Sequence, residues 1–253
     1  MSGKEHSRAP SGGATLERGV EHARGRALLL DFGGTLDSDG RHWSTQFARA
    51  FAEAGFVVPR ESLDRAFLAA DRRLDREVGI EALGLREHVQ LQTGLMLGHL
   101  GLPPDGVEPV VERFVGHALE HIARSRELLQ RHRPGCRVGL VSNFTPNLMR
   151  IVEQTGLSQV VDTVACSALE GVSKPDPALF RRALDRLGVG PEHAAMVGDS
   201  LASDIVPARA LGMTTCWIRG DQVFVAADEG AAHHIVTSLA GALDCLAQGG
   251  FFG

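Results

Sequence analysis

The chain has 253 residues, 43% hydrophobic and 5% aromatic, with no tyrosine. A chain of this length buries roughly three-quarters of its unfolded surface, as one domain or one domain carrying an insert. Its 31 acidic residues against 26 basic ones leave a net charge of −5. That balance excludes the basic footprint of a general nucleic-acid binder, and no run approaches the roughly 18 apolar residues of a membrane span.

Residues 1–26 are rich in Gly, Ser, Arg, Glu and His without apolar periodicity and read as a disordered leader. They lack the apolar core of a signal peptide, so a cytoplasmic protein is expected. Ala27-Leu28-Leu29-Leu30 then forms a continuous apolar run ending at Asp31, as suits a strand buried on both faces of a parallel sheet.

From Trp43 to Arg131 the pattern is helical. Trp43, Phe47 and Phe51 recur at four-residue spacing, and Val110, Val111, Phe114, Ala118 and Ile122 repeat it later. Breaks at Val58-Pro59, Gly84 and Leu102-Pro103-Pro104 predict three or four helices.

After Pro134-Gly135 short apolar runs alternate with helices. The runs are 137–141, 160–166, 194–197, 214–218 and 234–236. Helices are predicted over 147–154, 177–187 and 205–211, closed by Gly156, Gly188 and Gly212, with Asp176-Pro177 as an N-cap and first-turn pair. This alternation predicts an α/β fold, a doubly wound parallel sheet interrupted after its first strand by an all-helical insert. The expected division is a core of 27–37 and 121–253 with a helical cap at 38–120. Cys136, Cys166, Cys216 and Cys245 are widely spaced and lie in or beside apolar stretches, which predicts buried thiols.

Three predicted strands end in polar residues: Asp31, Ser142 and Asp199. The carboxyl ends of strands form the ligand crevice of an open parallel sheet, so these groups converge there. Lys174, in Ser173-Lys174-Pro175-Asp176-Pro177, belongs to a loop on the same edge and is one of two lysines in the chain, the other being Lys4. A lysine among acids suits a phosphate held beside a divalent cation.

These residues resemble, in order and spacing, the motifs of the haloacid dehalogenase superfamily. They are Asp31-Phe32-Gly33-Gly34-Thr35-Leu36, Ser142-Asn143, Lys174, and Gly198-Asp199-Ser200 followed by Asp204. The resemblance covers about 27–240 and implies a Rossmann-like core whose helical insert is a cap. It implies Asp31 as nucleophile, forming an aspartyl-phosphate. Mg²⁺ would be held by Asp31, Asp199 and the Gly33 carbonyl, with Asp204 as a direct or outer ligand. Thr35, Ser142, Asn143 and Lys174 would bind the phosphorylated substrate, with Ser142 and Lys174 assisting catalysis. The implied partner is a small phosphorylated metabolite, with no nucleic acid or membrane, for a monomer or homodimer.

One position departs from the pattern. Phosphatases of the superfamily usually carry a second aspartate two positions after the nucleophile, as acid and base, where this chain has Gly33. Such a group contributes about 10²–10⁴ in rate. Four explanations compete: a good leaving group, such as an acyl phosphate, an anhydride or an activated ester; a substitute proton donor among Asp37, Asp39 and His42; carbon–halogen cleavage of the 2-haloacid dehalogenase type; or ligand binding without turnover. Family dehalogenases usually have a bulky residue at this position and lack the acidic Asp199–Asp204 arrangement. Schiff-base chemistry from a cap lysine is excluded, because no lysine lies between Asp31 and Lys174.

Other signals read as bland. His117 and His121, in a HxxEH pattern, are expected on a partly exposed helix face, and His88, His99, His233 and His234 are lone histidines. Trp43, Phe47 and Phe51 are expected to pack the cap, with one of them a candidate for the substrate mouth. The cap arginines Arg60, Arg65, Arg72, Arg73, Arg76 and Arg86 are expected on solvated faces, with one able to reach a second anionic group.

Overall fold

The apolar runs form strands because they lie between two helical layers and are wetted on neither face. The computed structural model describes residues 25–74, 76–132, 135–220 and 230–252. Nearly all of the leader expected at 1–26 lies outside them. Arg26, placed in that leader, is instead the first residue of β1 and pairs with Cys136.

The strands are β1 (Arg26–Leu30), β2 (Cys136–Ser142), β3 (Thr163–Cys166), β4 (Ala194–Gly198), β5 (Thr214–Ile218) and β6 (His234–Val236). They form one parallel sheet in the order β3-β2-β1-β4-β5-β6. Side chains alternate across it. Leu28 and Leu30 of β1 join one apolar cluster, and Ala27 and Leu29 join another on the opposite face.

The helices are α1 (Trp43–Glu53), α2 (Arg60–Leu74), α3 (Leu85–Leu100), α4 (Val107–His132), α5 (Leu148–Gln154), α6 (Ser167–Glu170), α7 (Pro177–Leu187), α8 (Val206–Ala210) and α9 (Leu239–Gln248). Helix α7 starts as its sequence dictates, with Asp176 accepting the Ala178 N–H at 2.8 Å and Pro177 in the first turn. It ends at Gly188, whose φ of 63° is left-handed. Before α8 a π-helical turn spans Leu201–Ile205, so the helix expected at 205–211 is preceded by a wider turn, capped by Ser200, that carries Asp204.

Helices α1–α4 pack around Phe47, Phe51, Phe67 and Phe114, with Phe47 and Phe114 ring centroids 4.4 Å apart. Helix α4 runs unbroken through position 120, where the cap was expected to end. Its first half (Val110, Phe114, Ala118) and its second half (Ile122, Leu129) belong to one continuous cluster, and Ser125 donates to the Leu36 carbonyl at 2.8 Å. The 120/121 boundary therefore falls within α4. Burial pushes the Cys136 thiol up to about 11 and the Cys216 thiol up to about 12. No described helix is long and apolar enough to cross a membrane.

Candidate active site

Strand order reverses direction at β1, with β2 on one side and β4 on the other, which opens a crevice at the strands' carboxyl ends. Asp31 follows β1, Ser142 ends β2 and Asp199 follows β4. All three line a cavity of about 780 Å³, together with Gly33, Asn143, Lys174 and Asp204.

Asp31, Asp199 and Asp204 are buried, with one carboxylate oxygen of each within 4.8 Å of the others. Lys174 Nζ lies 2.9 Å from Asp31 Oδ1 and 2.6 Å from Asp204 Oδ1. Burial opposes its charge, but Asp204 and Asp31 outweigh it and hold the ammonium above the usual lysine pKa. Burial, with Asp31 and Asp204 close by, pushes Asp199 well above the carboxylate range. Burial also raises Asp204, against the pull of Lys174.

The trio thus carries more negative charge than one lysine balances. Asp31 Oδ1 makes no aligned hydrogen bond beyond that ion pair. An all-oxygen, buried and electron-rich donor set fits a hard divalent cation. Asp204 already accepts through both oxygens, from Lys174 and from the Ser200 N–H at 3.0 Å. Among the described residues no other group of three or more His, Cys, Asp or Glu comes together in this way.

The loop after β1 fits only because it lacks side chains. A Cβ at Gly34, where φ is +87°, would stand 2.3 Å from an Asp199 carboxylate oxygen. Asn143 braces the lysine loop: its Oδ1 accepts the Lys174 N–H at 2.8 Å and its Nδ2 donates to the Lys174 carbonyl at 2.9 Å. This side-chain role was not visible in the sequence. Thr35, expected at the substrate, is fully buried, does not line the cavity and has no partner for Oγ1.

The three candidate proton donors near Gly33 are placed differently. Asp37 is buried and lies off the cavity, accepting from the Gly34 N–H (2.7 Å), Trp43 Nε1 (2.5 Å), Gln46 and Ser38. Burial pushes it up to about 6. Asp39 accepts the Leu239 N–H at 2.8 Å and also lies off the cavity. His42 does line it, but the Ser44 N–H donates to Nδ1, so the neutral ring carries its proton on Nε2. Desolvation, partly offset by Asp31, holds His42 below its ordinary pKa. Trp43 lines the cavity as well, its indole 3.1–3.2 Å from where a Gly33 Cβ would be.

His117 pairs with Glu53 at 2.8 Å, and His121 faces Asp39 at 3.7 Å. Among the described residues no cap arginine lines the cavity: Arg60 pairs with Asp64, Arg73 with Glu77 and Arg86 with Glu108. His88, read as a lone histidine, is buried in the cavity wall and stacked on Phe144 at 5.2 Å. Burial pushes it down to about 4. A buried neutral imidazole stabilises the fold fully above its unfolded pKa near 6.5, and this is lost as pH falls toward 4. Between those pH values wild type therefore loses up to about 3 kcal/mol more than His88→Gln. Urea denaturation across that range checks this, and parallel curves would contradict it.

A family model for haloacid dehalogenase-like hydrolases matches residues 26–212. The chain belongs to that family. As a member it is a hydrolase with the α/β fold of the group. It is 32% identical over 205 residues to the phosphoserine phosphatase of Thermus thermophilus, covering 76% of this chain and 81% of that protein. It is 36% identical over 95 residues to the glyceraldehyde 3-phosphate phosphatase of Pyrococcus furiosus, covering 37% and 40%. Two solved structures share the fold. The hydrolase YfnB of Bacillus subtilis, bound to magnesium, has a TM-score of 0.57 at 21% identity over 89% of this chain and all of that one. The L-2-haloacid dehalogenase RSc1362 has a TM-score of 0.61 at 21% identity, covering 88% and 98%.

Proposed function

We propose that this hydrolase is a Mg²⁺-dependent phosphatase of a small phosphorylated metabolite, with Asp31 as nucleophile. The observation that carries this is the buried Asp31–Asp199–Asp204 trio joined by Lys174. Displacement of halide at carbon needs no such trio, whereas a phosphate entering it needs a cation and a lysine. The phosphatase names of the two relatives support the same reading. Asp31, Asp199 and the Gly33 carbonyl would hold the cation, with Asp204 behind them orienting Lys174. When bound, Mg²⁺ offsets the repulsion between phosphate and carboxylates and polarises the phosphoryl oxygens.

Asp31 attacks phosphorus in line and becomes the aspartyl-phosphate as the bond from phosphorus to the ester oxygen breaks and that oxygen leaves with its electron pair. Lys174 Nζ, the Ser142 hydroxyl and the Asn143 N–H receive the charge that builds on the phosphoryl oxygens. Asn143 keeps Lys174 in place through its two backbone bonds. The cap helices restrict water around the transfer. Water then cleaves the acyl phosphate and restores Asp31.

Phosphate release from a metabolite panel, with and without Mg²⁺, tests the reading against halide release from 2-halo acids. Metal-dependent phosphate release is expected. Metal-independent halide release, or Mg²⁺-dependent ligand binding with no turnover, would overturn it.

Gly33 leaves the leaving oxygen without its usual proton donor. Gly33→Asp is expected to raise kcat/KM for alkyl phosphates by about tenfold or more, within the 10²–10⁴ such a group supplies. The gain is limited because Trp43 must yield a few tenths of an ångström to the new side chain. No gain in a folded variant would count against the assigned position.

A further inference from the structure

The place of the missing acid and its chemistry fall on two consecutive residues at the start of α1. The Trp43 indole fills the space above Gly33, 3.1–3.2 Å from where a Cβ would be. His42, the residue before it, lines the same cavity as Asp31. His42 is also the N-cap of α1, its Nδ1 accepting the Ser44 N–H at 3.2 Å. Serine, aspartate or asparagine more often fill this position. An imidazole caps the helix with one nitrogen and keeps the other, Nε2, for a second task.

The ring is held in place as well. It meets the Phe67 ring of α2 at 5.6 Å and 76°, an edge-to-face contact. The Ser44 hydroxyl lies 3.1 Å from Nδ1. Ser44 therefore serves both states of the ring: its N–H donates to Nδ1 of the neutral imidazole, and its Oγ accepts from Nδ1 of the imidazolium. Several charges act on that balance. Asp31 favours the imidazolium, Arg60 of α2 opposes it, and Asp64, paired with Arg60 at 2.9 Å, favours it. A phosphate arriving beside Asp31 adds negative charge and favours the imidazolium further. His42 keeps enough contact with solvent to exchange its proton.

The neighbouring titratable groups are placed for other work. Asp37 and Asp39 lie off the cavity. His88 is buried and accepts from Asn147 Nδ2 at 3.2 Å, and burial keeps it neutral, so its acidic imidazolium is absent near neutral pH. Asp71 of α2 is already engaged in an interaction of its own.

We propose that His42 is the general acid and base of the reaction, its Nε2 protonating the departing oxygen of an alkyl phosphate monoester. This rests on the phosphatase reading and brings esters of ordinary alcohols within reach of a site that has Gly33. As the Asp31 oxygen–phosphorus bond forms and the bond from phosphorus to the ester oxygen breaks, the imidazolium passes its Nε2 proton to that oxygen. The alcohol departs neutral, and the ring keeps its Nδ1 proton on Ser44 Oγ. Nε2 then takes a proton from the water that attacks phosphorus of the aspartyl-phosphate. That step restores the Asp31 carboxylate, frees inorganic phosphate and regenerates the imidazolium.

His42→Asn separates this role from capping, because asparagine caps a helix through its Oδ1 and has nothing in the place of Nε2. With Mg²⁺ present, kcat/KM of wild type and variant is compared on 4-nitrophenyl phosphate, whose phenolate leaves without a proton, and on glycerol phosphate, ethyl phosphate and a sugar monophosphate. The fastest of the alkyl esters is expected to lose about 10² or more in His42→Asn, and 4-nitrophenyl phosphate less than about threefold. The selectivity is a ratio within one protein, so a change in stability does not imitate it. Equal loss on both classes of ester, or loss on neither, would overturn the role of His42 alone. Wild type that hydrolyses 4-nitrophenyl phosphate but no alkyl ester would do the same. No phosphate from any ester, by folded wild type with Mg²⁺, would overturn the phosphatase reading and the role of His42 with it.

Discussion

Asp31→Asn is expected to lower Mg²⁺-dependent phosphate release by about 10⁴–10⁶, the range reached when a covalent nucleophile is removed. The side chain keeps its shape but loses the attacking carboxylate, so no acyl phosphate forms there for water to cleave. The same change removes one of three crowded negative charges while leaving Lys174 paired with Asp204 at 2.6 Å. Stability should therefore hold or rise, as measured by the urea midpoint. This separates chemical loss from unfolding. A variant within about tenfold of wild type would show that Asp31 is not the nucleophile.

Lys174→Met has the largest expected effect on stability. The ammonium is buried and touches two buried carboxylates. Removing one partner of a buried ion pair leaves an uncompensated charge and typically costs about 3–5 kcal/mol. Methionine has nearly the shape of lysine, so the loss is electrostatic rather than steric. Urea denaturation in chelator should show that loss, together with a fall in turnover of roughly 10²–10³ from the missing phosphoryl contact. An unchanged midpoint would mean that the carboxylates are balanced by something other than Lys174.

The strands and the residues at their ends were legible because both depend on local patterns. Leu28–Leu30 and Ala194–Val197 are continuous apolar runs, the first followed at once by Asp31 and the second, after Gly198, by Asp199, acids that the sheet must place at its carboxyl edge. The cap side of the cavity was not legible. Phe67 and His88 reach the wall through the way α2 and α3 pack on one another and over the core, which no local spacing encodes. Phe144 directly follows the Ser142-Asn143 motif, and its position there was the available signal. The roles of Asp37 and Asn143 depend on partners 6 and 31 residues away. Thr35 belongs to a recognisable motif, yet the turn around Gly34 leaves it buried and off the cavity.

In the proposed mechanism Asp31 carries the phosphoryl group during turnover. Acid quenching of wild-type protein reacting with phenyl phosphate and Mg²⁺, followed by peptide mass spectrometry, reads this directly. The expected result is a phosphate adduct on the peptide containing Asp31, dependent on Mg²⁺ and absent from Asp31→Asn. Phosphate release without any such adduct, or an adduct on another residue, would contradict it.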